Sequence, residues 1–273
     1  MTKVVLITGA SSGIGRVTAL LLAQQGYIVY AGTRDPAKFS ITLDNLHVIT
    51  LDLTDSQSIK VAINKIKTEQ GKIDVLINNA GYALVSTVED ATEEEMFNQY
   101  NINVFGIFRL CKSVTPLMRE KNSGAIINIS SFLGKVGLPL LTFYNSSKYA
   151  VEGITDSLRY ELQPFNIRVH SIMPGFFNTN FAKENLVVNN PTSNINSPYK
   201  QLTDNLIPNI VEQINQGNEP KEAAELILKI IEDDKSSARI TVGDKAKKFI
   251  AMRRELSDED FERRVKDYYN LNG

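Results

Sequence analysis

Short, continuously apolar runs alternate with longer amphipathic stretches along most of this chain, and that alternation sharply narrows what it can fold into. Val4–Thr8, Tyr27–Gly32, Leu46–Leu51, Ile73–Ile77, Ala125–Ile129, Arg168–Ile172 and Arg239–Val242 read as strands. They are apolar throughout rather than on every second residue, the pattern of strands covered on both faces. Between them, Gly13 to about Gln25, Asp55 to Gln70, Thr92 to Glu120, Phe143 to Gln163 and Lys221 to Asp233 carry apolar residues at helical spacing. Such alternation predicts an α/β fold with a doubly wound, Rossmann-type parallel sheet in three α/β/α layers. No linker-like change of composition precedes residue 176 and no repeat divides the chain, so residues 1–273 read as a single domain.

Two segments break the rhythm. Residues 176–218 are rich in Asn and Pro yet hold Phe176, Phe177, Phe181, Leu186, Tyr199, Leu202 and Leu206. A long loop inside a compact domain is usually functional or disordered, and the apolar content favours a lid over a ligand cleft against a surface insertion. From Asp244 to residue 273 the tail mixes basic and acidic side chains, and Ser257-Asp-Glu-Asp260 reads as a capping-box-like helix start. Its basic run Lys245–Arg254 is interleaved with acids, the mark of a solvated helical face rather than a membrane contact.

Composition excludes several classes. The net charge of -1 sets up no field for nucleic acid or an anionic membrane. Cys111 is the sole cysteine and the two histidines, His47 and His170, stand far apart, so neither a disulfide framework nor a zinc-type cluster can be drawn and no metal is expected. Cys111 falls in an apolar helical stretch and reads as an inert core residue; His170, inside a buried strand, reads as a hydrogen-bonded core histidine. No apolar stretch approaches the length of a bilayer span or a signal peptide, and a cytoplasmic protein is expected.

Directly after the first strand stands Thr8-Gly9-Ala10-Ser11-Ser12-Gly13-Ile14-Gly15. Glycines here permit a tight turn, backbone approach to a pyrophosphate and close helix–strand packing, and the helix opening at Gly13 offers its N–H groups and dipole to phosphates. The second strand ends in Tyr30-Ala-Gly-Thr-Arg34-Asp35. A carboxylate at the strand end would accept from a free ribose; small residues occupy it, and Arg34 follows. A guanidinium–phosphate pair is worth about 1.5–3 kcal/mol, enough to favour NADP about ten- to a hundredfold. Asp35 keeps an NAD reading open, although Asp35-Pro36 equally marks a turn. Asp52, after the third strand, is placed to accept from an adenine amino group or to cap its own turn.

Taken together, Gly9–Gly15, Asp52-Leu53, Asn78-Asn79-Ala80-Gly81, Asn103, Ser130-Ser131, Tyr144-x-x-x-Lys148 and Pro174-Gly175 with Thr179 resemble the short-chain dehydrogenases/reductases of the Tyr-x-x-x-Lys single-domain group. Val29–Arg34 and Phe165–Val169 are similar to the hydroxysteroid- and retinol-dehydrogenase-like members. The resemblance implies an NADP-dependent oxidoreductase that interconverts a carbonyl and an alcohol on a small hydrophobic substrate, with NAD as the alternative cofactor. It implies catalytic roles for four residues: Ser131 holding the substrate oxygen, Tyr144 giving the proton, Lys148 gripping the nicotinamide ribose, and Asn103, rather than Asn101, holding a relay water. Ser11, Ser12, Gly13, Ile14, Asp52, Leu53, Asn79, Ala80, Gly81, Pro174, Gly175, Phe177 and Thr179 would line the dinucleotide, with Asn78 and Asn79 alternatively bracing strands. Relatives pair through helices corresponding to Thr92–Glu120 and Phe143–Gln163, which implies a homodimer or homotetramer. A dinucleotide-binding regulatory protein without turnover is the competing reading, and the intact Asn103, Ser131, Tyr144 and Lys148 set argues against it.

Tyr144 and Lys148 also carry an expectation of their own. Spaced i, i+4, they share one helix face. Lowering a tyrosine from a pKa near 10 by two or three decades takes about 3–4 kcal/mol. A cation about 4 Å away supplies roughly 1 kcal/mol in water but about 4 at an effective dielectric near 20. Lys148 is therefore expected to lower Tyr144 only in a dry cleft, which the apolar lid would provide.

Overall fold

The computed structural model describes residues 2–39 and 43–271; the outer bounds of the expected domain and tail, at 1, 272 and 273, lie outside the described residues. Each strand expected from the sequence forms, within two residues at either end. β1 (Val4–Thr8), β2 (Ile28–Thr33), β3 (Leu46–Thr50) and β4 (Val75–Asn78) lie in one seven-stranded parallel sheet with β6 (Gly124–Ile129), β7 (Ile167–Pro174) and β9 (Arg239–Val242). The order is β3-β2-β1-β4-β6-β7-β9, so the chain winds outward one way from β1 and then the other way from β4. That reversal opens a crevice at the carboxyl ends of β1 and β4, where open α/β sheets take their ligands.

Helices cover both faces. α2 (Ser56–Gln70), α4 (Gly106–Glu120) and α5 (Thr142–Leu162) bury Ile59, Ile63, Leu110, Val114, Val151 and Ile154 against one side. α1 (Gly13–Gln24) and α9 (Pro220–Glu232) bury Ala19, Leu22, Ile227 and Ile230 against the other. Local chemistry sets where they begin. The Asp55 carboxylate accepts from Gln57 N at 2.8 Å to start α2, and Thr92 with Glu95 forms a reciprocal capping box at the head of α3 (Glu93–Tyr100).

Three expectations change. The single helix over Thr92–Glu120 is interrupted: α3 and α4 are joined by a π-turn at Asn101–Phe105, a wide turn of the kind often found at functional sites. A small parallel pair, β5 (Ala83–Val85) with β8 (Leu186–Val188), had no signal beyond its apolar triplets. Residues 176–218 are structured rather than a loop: besides β8 they hold the short helices α6 (Phe181–Glu184) and α7 (Asn190–Ser193) and the 16-residue α8 (Lys200–Asn215). Pro208 inside α8 reads as a helix breaker, which hides the helical spacing of Thr203, Leu206, Ile210 and Ile214 on its buried face.

The tail forms α10 (Asp244–Glu255) and α11 (Asp258–Tyr269), the latter capped by Ser257, whose hydroxyl accepts from Asp260 N at 3.2 Å. Both helices expose their charges and bury an apolar edge. Phe249 meets Phe132 at 5.7 Å, Tyr268 at 5.1 Å and Tyr269 at 6.0 Å between ring centroids, and Phe132 meets Phe176 edge-on at 5.4 Å. The tail is thus packed through aromatic rings to the loop after β6. Among the described residues no helix is long and apolar enough to cross a membrane.

Phe249 is fully buried at the centre of this cluster. Phe249→Ala is expected to lower the free energy of unfolding by about 3–5 kcal/mol, read as a fall in urea midpoint at unchanged slope. A change below about 1 kcal/mol would mean that the tail is not part of the cooperative core.

Candidate active site

The glycine turn is built for close approach. Gly9 has φ +64, and a Cβ there would stand 2.8 Å from the Ala80 Cα; a Cβ on Gly15 would stand 2.4 Å from the Gly9 carbonyl oxygen and from Asn79 Nδ2. Gly13, φ +56, opens α1 and faces Thr179, whose Cβ would be 3.5 Å from an added methyl. Thr179 thereby brings the strand-end loop of β7 across the mouth of the turn. Gly9, Ser11, Ser12, Gly13, Ile14, Asn79, Ala80, Gly81, Pro174, Gly175, Phe177 and Thr179 all line one cavity of about 910 Å³, an open cradle of backbone N–H groups at a helix N-terminus. This geometry fits a pyrophosphate: narrow, lined by glycine, and without a carboxylate at the turn.

The adenosine end combines expected and unexpected groups. Arg34, Asp52 and Leu53 line it as the sequence suggests, and so does Lys38, which sequence reasoning passed over. Asp35 caps the 3₁₀ turn Pro36–Lys38, its carboxylate accepting from Ala37 N at 3.1 Å. Asp52 Oδ1 accepts from Thr54 N at 2.8 Å and from its hydroxyl at 2.7 Å, so this oxygen serves the turn. Asn79 donates to Thr8 O and Gly9 O at 2.9 and 3.1 Å, and Asn78 donates to Asn128 Oδ1 at 2.8 Å. The two amides brace β1, β4 and β6 from within, the structural role weighed for them. Arg16 turns away from the turn, its guanidinium 4.7 Å from the centroid of the Phe39 ring.

At the far end of the cavity, three elements converge. Ser131 follows β6, caps the short turn Phe132–Gly134 by accepting from Leu133 N at 3.1 Å, and lines the same cavity as Tyr144, on which its hydroxyl acts electrostatically. Tyr144 and Lys148 project from the first half of α5, with the Lys148 Nζ 5.7 Å from the centre of the Tyr144 ring. That ammonium donates to the Ile129 carbonyl at 2.9 Å. Asn103 sits in the π-turn. Its Oδ1 accepts from Tyr82 N at 3.1 Å, and its Nδ2 donates to Tyr82 O at 3.0 Å and Ser147 Oγ at 3.1 Å. Gly81 lies beneath: a Cβ there would be 3.1 Å from Asn103 Oδ1 and 3.7 Å from Lys148 Nζ. Asn101 instead accepts from Arg109 and takes no part in this contact.

Electrostatics correct one expectation. Burial pushes the Tyr144 phenol up to about 12, against a smaller downward pull from the Ser131 hydroxyl. A dry cleft strengthens a nearby cation but desolvates the phenolate as well, and here desolvation is larger. Tyr144 is therefore protonated at neutral pH, the state a proton donor requires. Lys148, 5 % exposed, is brought down to about 8 by burial, with Glu152 opposing. Elsewhere, Cys111 is buried with its thiol pushed up to about 12. His170 is buried and its Nδ1 lies 2.9 Å from the Ser237 carbonyl; desolvation lowers it. Both are core residues, as expected.

The rest of the lining around Ser131 and Tyr144 is largely apolar, with Glu184 and Asn185 among it. Phe176, Phe181 and Leu186, anticipated from the lid segment, belong to it; Tyr199, Leu202 and Leu206 do not. Leu133, Leu141, Val187, Ile210 and Ile214 were missed. The last two stand one turn apart on α8, whose helical spacing Pro208 obscures.

The family model described as short chain dehydrogenase matches residues 3–190. A 3-ketodihydrosphingosine reductase of Bacteroides thetaiotaomicron is 39% identical over 244 residues, which cover 88% of each chain. A short-chain dehydrogenase from Streptomyces avermitilis superposes with a TM-score of 0.84 at 31% identity, covering 99% of this chain and 97% of the other. A short chain dehydrogenase from Burkholderia cenocepacia, solved in complex with NADP, superposes with a TM-score of 0.75 at 24% identity over 98% and 97% of the chains.

Holding Lys148 at about 8 instead of its ordinary 10.5 costs about 3 kcal/mol at 1.36 kcal/mol per decade. Between those two values the unfolded chain binds more protons than the folded one, so stability rises with pH through this window. Lys148→Met is accordingly expected to stabilise the fold by up to about 3 kcal/mol below pH 8, with the gain disappearing as pH approaches 10.5. Thermal unfolding across pH 7–10.5 checks this; a pH-independent difference or a loss of stability contradicts it.

Proposed function

The chain belongs to the short-chain dehydrogenase family and is an NAD(P)-dependent dehydrogenase/reductase, and from that premise we propose that it uses NADP to interconvert an apolar ketone or aldehyde and its alcohol. The observation that carries this is the convergence of Ser131, Tyr144 and the buried Lys148 on one cavity that Phe176, Phe181, Leu186, Ile210 and Ile214 also line. The bound nicotinamide supplies hydride to the carbonyl carbon, or accepts it from the carbinol carbon in the reverse direction.

The side chains do the remainder. Ser131 accepts from Leu133 N–H, which leaves its own proton to be directed at the Tyr144 oxygen or at a substrate oxygen. Tyr144, protonated at neutral pH, delivers a proton to that same oxygen as negative charge develops on it. Lys148 sits where its ammonium faces both the tyrosine and the ribose end of the cradle. Asn103 holds the Tyr82 backbone and Ser147 in register beneath that ammonium and is the position for a relay water. Gly9 to Gly15 take the pyrophosphate, and the Pro174–Thr179 loop takes the nicotinamide carboxamide.

NADP is favoured over NAD because two cations, Arg34 and Lys38, line the adenosine end of the cavity against the one carboxylate of Asp35, whose Oδ1 also accepts from Ala37 N–H. The substrate class follows from the apolar wall, and the 3-keto group in the name of the Bacteroides relative makes a long-chain ketone the leading candidate within it. Residues 176–218 form the lid. The helices α3 to α5 leave Phe97, Phe105, Phe108 and Tyr149 exposed, which supports pairing of copies into a homodimer or homotetramer. A cytoplasmic location is part of the same reading.

Consumption of NADPH with a panel of apolar ketones, including 3-ketodihydrosphingosine, tests the proposal. Tyr144→Phe is expected to lower kcat by about 10²–10⁴. No turnover of any carbonyl, or indistinguishable wild type and Tyr144→Phe, would sink it. For cofactor choice, Arg34→Ala with Lys38→Ala should reduce kcat/KM for NADPH by about ten- to a hundredfold and leave NADH little changed; equal losses with both cofactors would remove the argument for NADP.

A further inference from the structure

One turn beyond Lys148 on α5 stands Glu152, a carboxylate only 2 % exposed. Nothing in the proposed chemistry uses it, and a buried ion pair is a poor way to stabilise a fold, since apolar residues of similar volume usually do as well. Its surroundings are nevertheless specific. Oε1 accepts from the Ser171 hydroxyl on β7, and Oε2 accepts from Arg239 Nε on β9 at 2.7 Å. Arg239 also donates to the Glu152 carbonyl at 3.3 Å and pairs with Asp156, the next residue on the same helix stripe. Both carboxylate oxygens are thus engaged, and the group is held away from water.

Tyr144, Lys148 and Glu152 follow one another at i, i+4 and lie along one face of α5. Gly134 packs against this face: a Cβ there would stand 2.9 Å from the Lys148 carbonyl and 3.2 Å from Glu152 Cγ. The absence of a side chain lets the Ser131–Gly134 turn close over the gap between lysine and glutamate and keep it dry. The groups around the Lys148 ammonium are Tyr144, the Ile129 carbonyl and Asn103 across Gly81; Glu152, one helical turn away, makes no direct ion pair with it and acts through space. Those facing Glu152 are Lys148, Ser171 and Arg239, with Asp156 beyond the arginine. Among these, Glu152 is the one buried anion available to the ammonium.

We propose that Glu152 is the counter-charge that keeps Lys148 protonated, and that Arg239 attenuates it, making the Glu152–Arg239 pair a positioning and tuning device for the active-site lysine. The direction in which Glu152 acts on Lys148, opposing its desolvation, agrees with this geometry. The two halves of one ion pair then have opposite effects on the lysine. Removing the glutamate takes away the charge that favours the ammonium. Removing the arginine unmasks that charge, because Arg239 is the cation paired with the Glu152 carboxylate. A purely structural ion pair behaves differently: breaking it from either side disturbs the lysine in the same way.

The experiment follows the Lys148 side chain by 13Cε/15Nζ lysine NMR in the cofactor-free protein, with the signal assigned from Lys148→Met. Glu152→Gln, which keeps the shape and an acceptor for Ser171, is expected to move the titration to lower pH by about one unit. Arg239→Met is expected to move it to higher pH, and Arg239→Lys, which keeps the charge, to leave it within a few tenths. Parallel shifts in Glu152→Gln and Arg239→Met, or no shift in Glu152→Gln, overturn the proposal. Should Glu152→Gln fail to fold by circular dichroism, the opposed behaviour of Arg239→Met and Arg239→Lys decides it. Relevance to turnover rests on the carbonyl-reductase reading: there the alkaline limb of kcat should move with the lysine. Because the titration needs no turnover, failure of that reading and failure of this inference give different results.

Discussion

Keeping one ammonium charged without water is the constraint around which this site is arranged. Lys148 sits at the carboxyl end of a sheet whose strands are apolar on both faces, a place hostile to charge. Its protection comes from separate elements: the carbonyl at the end of β6 that accepts from it, and the carboxylate one turn down its own helix that acts through space. Each of these needs the sheet in place before it can act. The π-turn has the same logic, since the extra backbone width at Asn101–Phe105 aims Asn103 at Tyr82 and Ser147 rather than into the core. Local irregularity is concentrated where the charge must be held.

The dryness that the lysine tolerates has a second consequence at Tyr144. Sequence reasoning treated low dielectric as an amplifier of the lysine's field and expected the phenol to fall. It is also a penalty on the phenolate, and in the folded protein that penalty is the larger of the two. Burial drives the two groups apart: it lifts the tyrosine to about 12 and brings the lysine to about 8. A proton donor that stays loaded and a lysine poised near physiological pH are together suited to carbonyl reduction. Reading the pair by Coulomb's law alone captured the distance dependence and missed the self-energy, which no spacing in a sequence reveals.

What was legible follows from how local the signal was. The strands, α1, α2 and α9 could be read because apolar periodicity and caps such as Asp55 are encoded within a few residues. The glycine turn was legible because only Gly tolerates the contacts that Gly9 and Gly15 make. By contrast, α8 was hidden by Pro208, the break at Asn101 by an unbroken helical spacing, and the β5–β8 pair by a separation of some hundred residues. Lys38 and Glu152 were missed for a related reason: each gains its meaning from partners on other elements. The fold was therefore largely readable and the proposed reacting groups stood out as a motif, while the electrostatic setting around them was not legible.

That division has a spatial counterpart. The stretch matched by the family model ends at residue 190, and it contains the glycine turn, Ser131, Tyr144, Lys148 and their braces. The substrate wall draws on α8, through Ile210 and Ile214, and α8 is held from behind by the tail, where the Tyr268 hydroxyl donates to Gln213 Oε1 at 3.2 Å. Tyr268 and Tyr269 in turn pack on Phe249, which abuts Phe132, the residue after Ser131. The tail also meets the body through polar groups, with Asp244 N donating to Asn218 Oδ1 at 3.0 Å and Lys247 pairing with Glu222 at 3.5 Å. Its aromatic contacts transmit shape to the cavity lining at Phe132 and Phe176, whereas the buried glutamate acts on the lysine by potential.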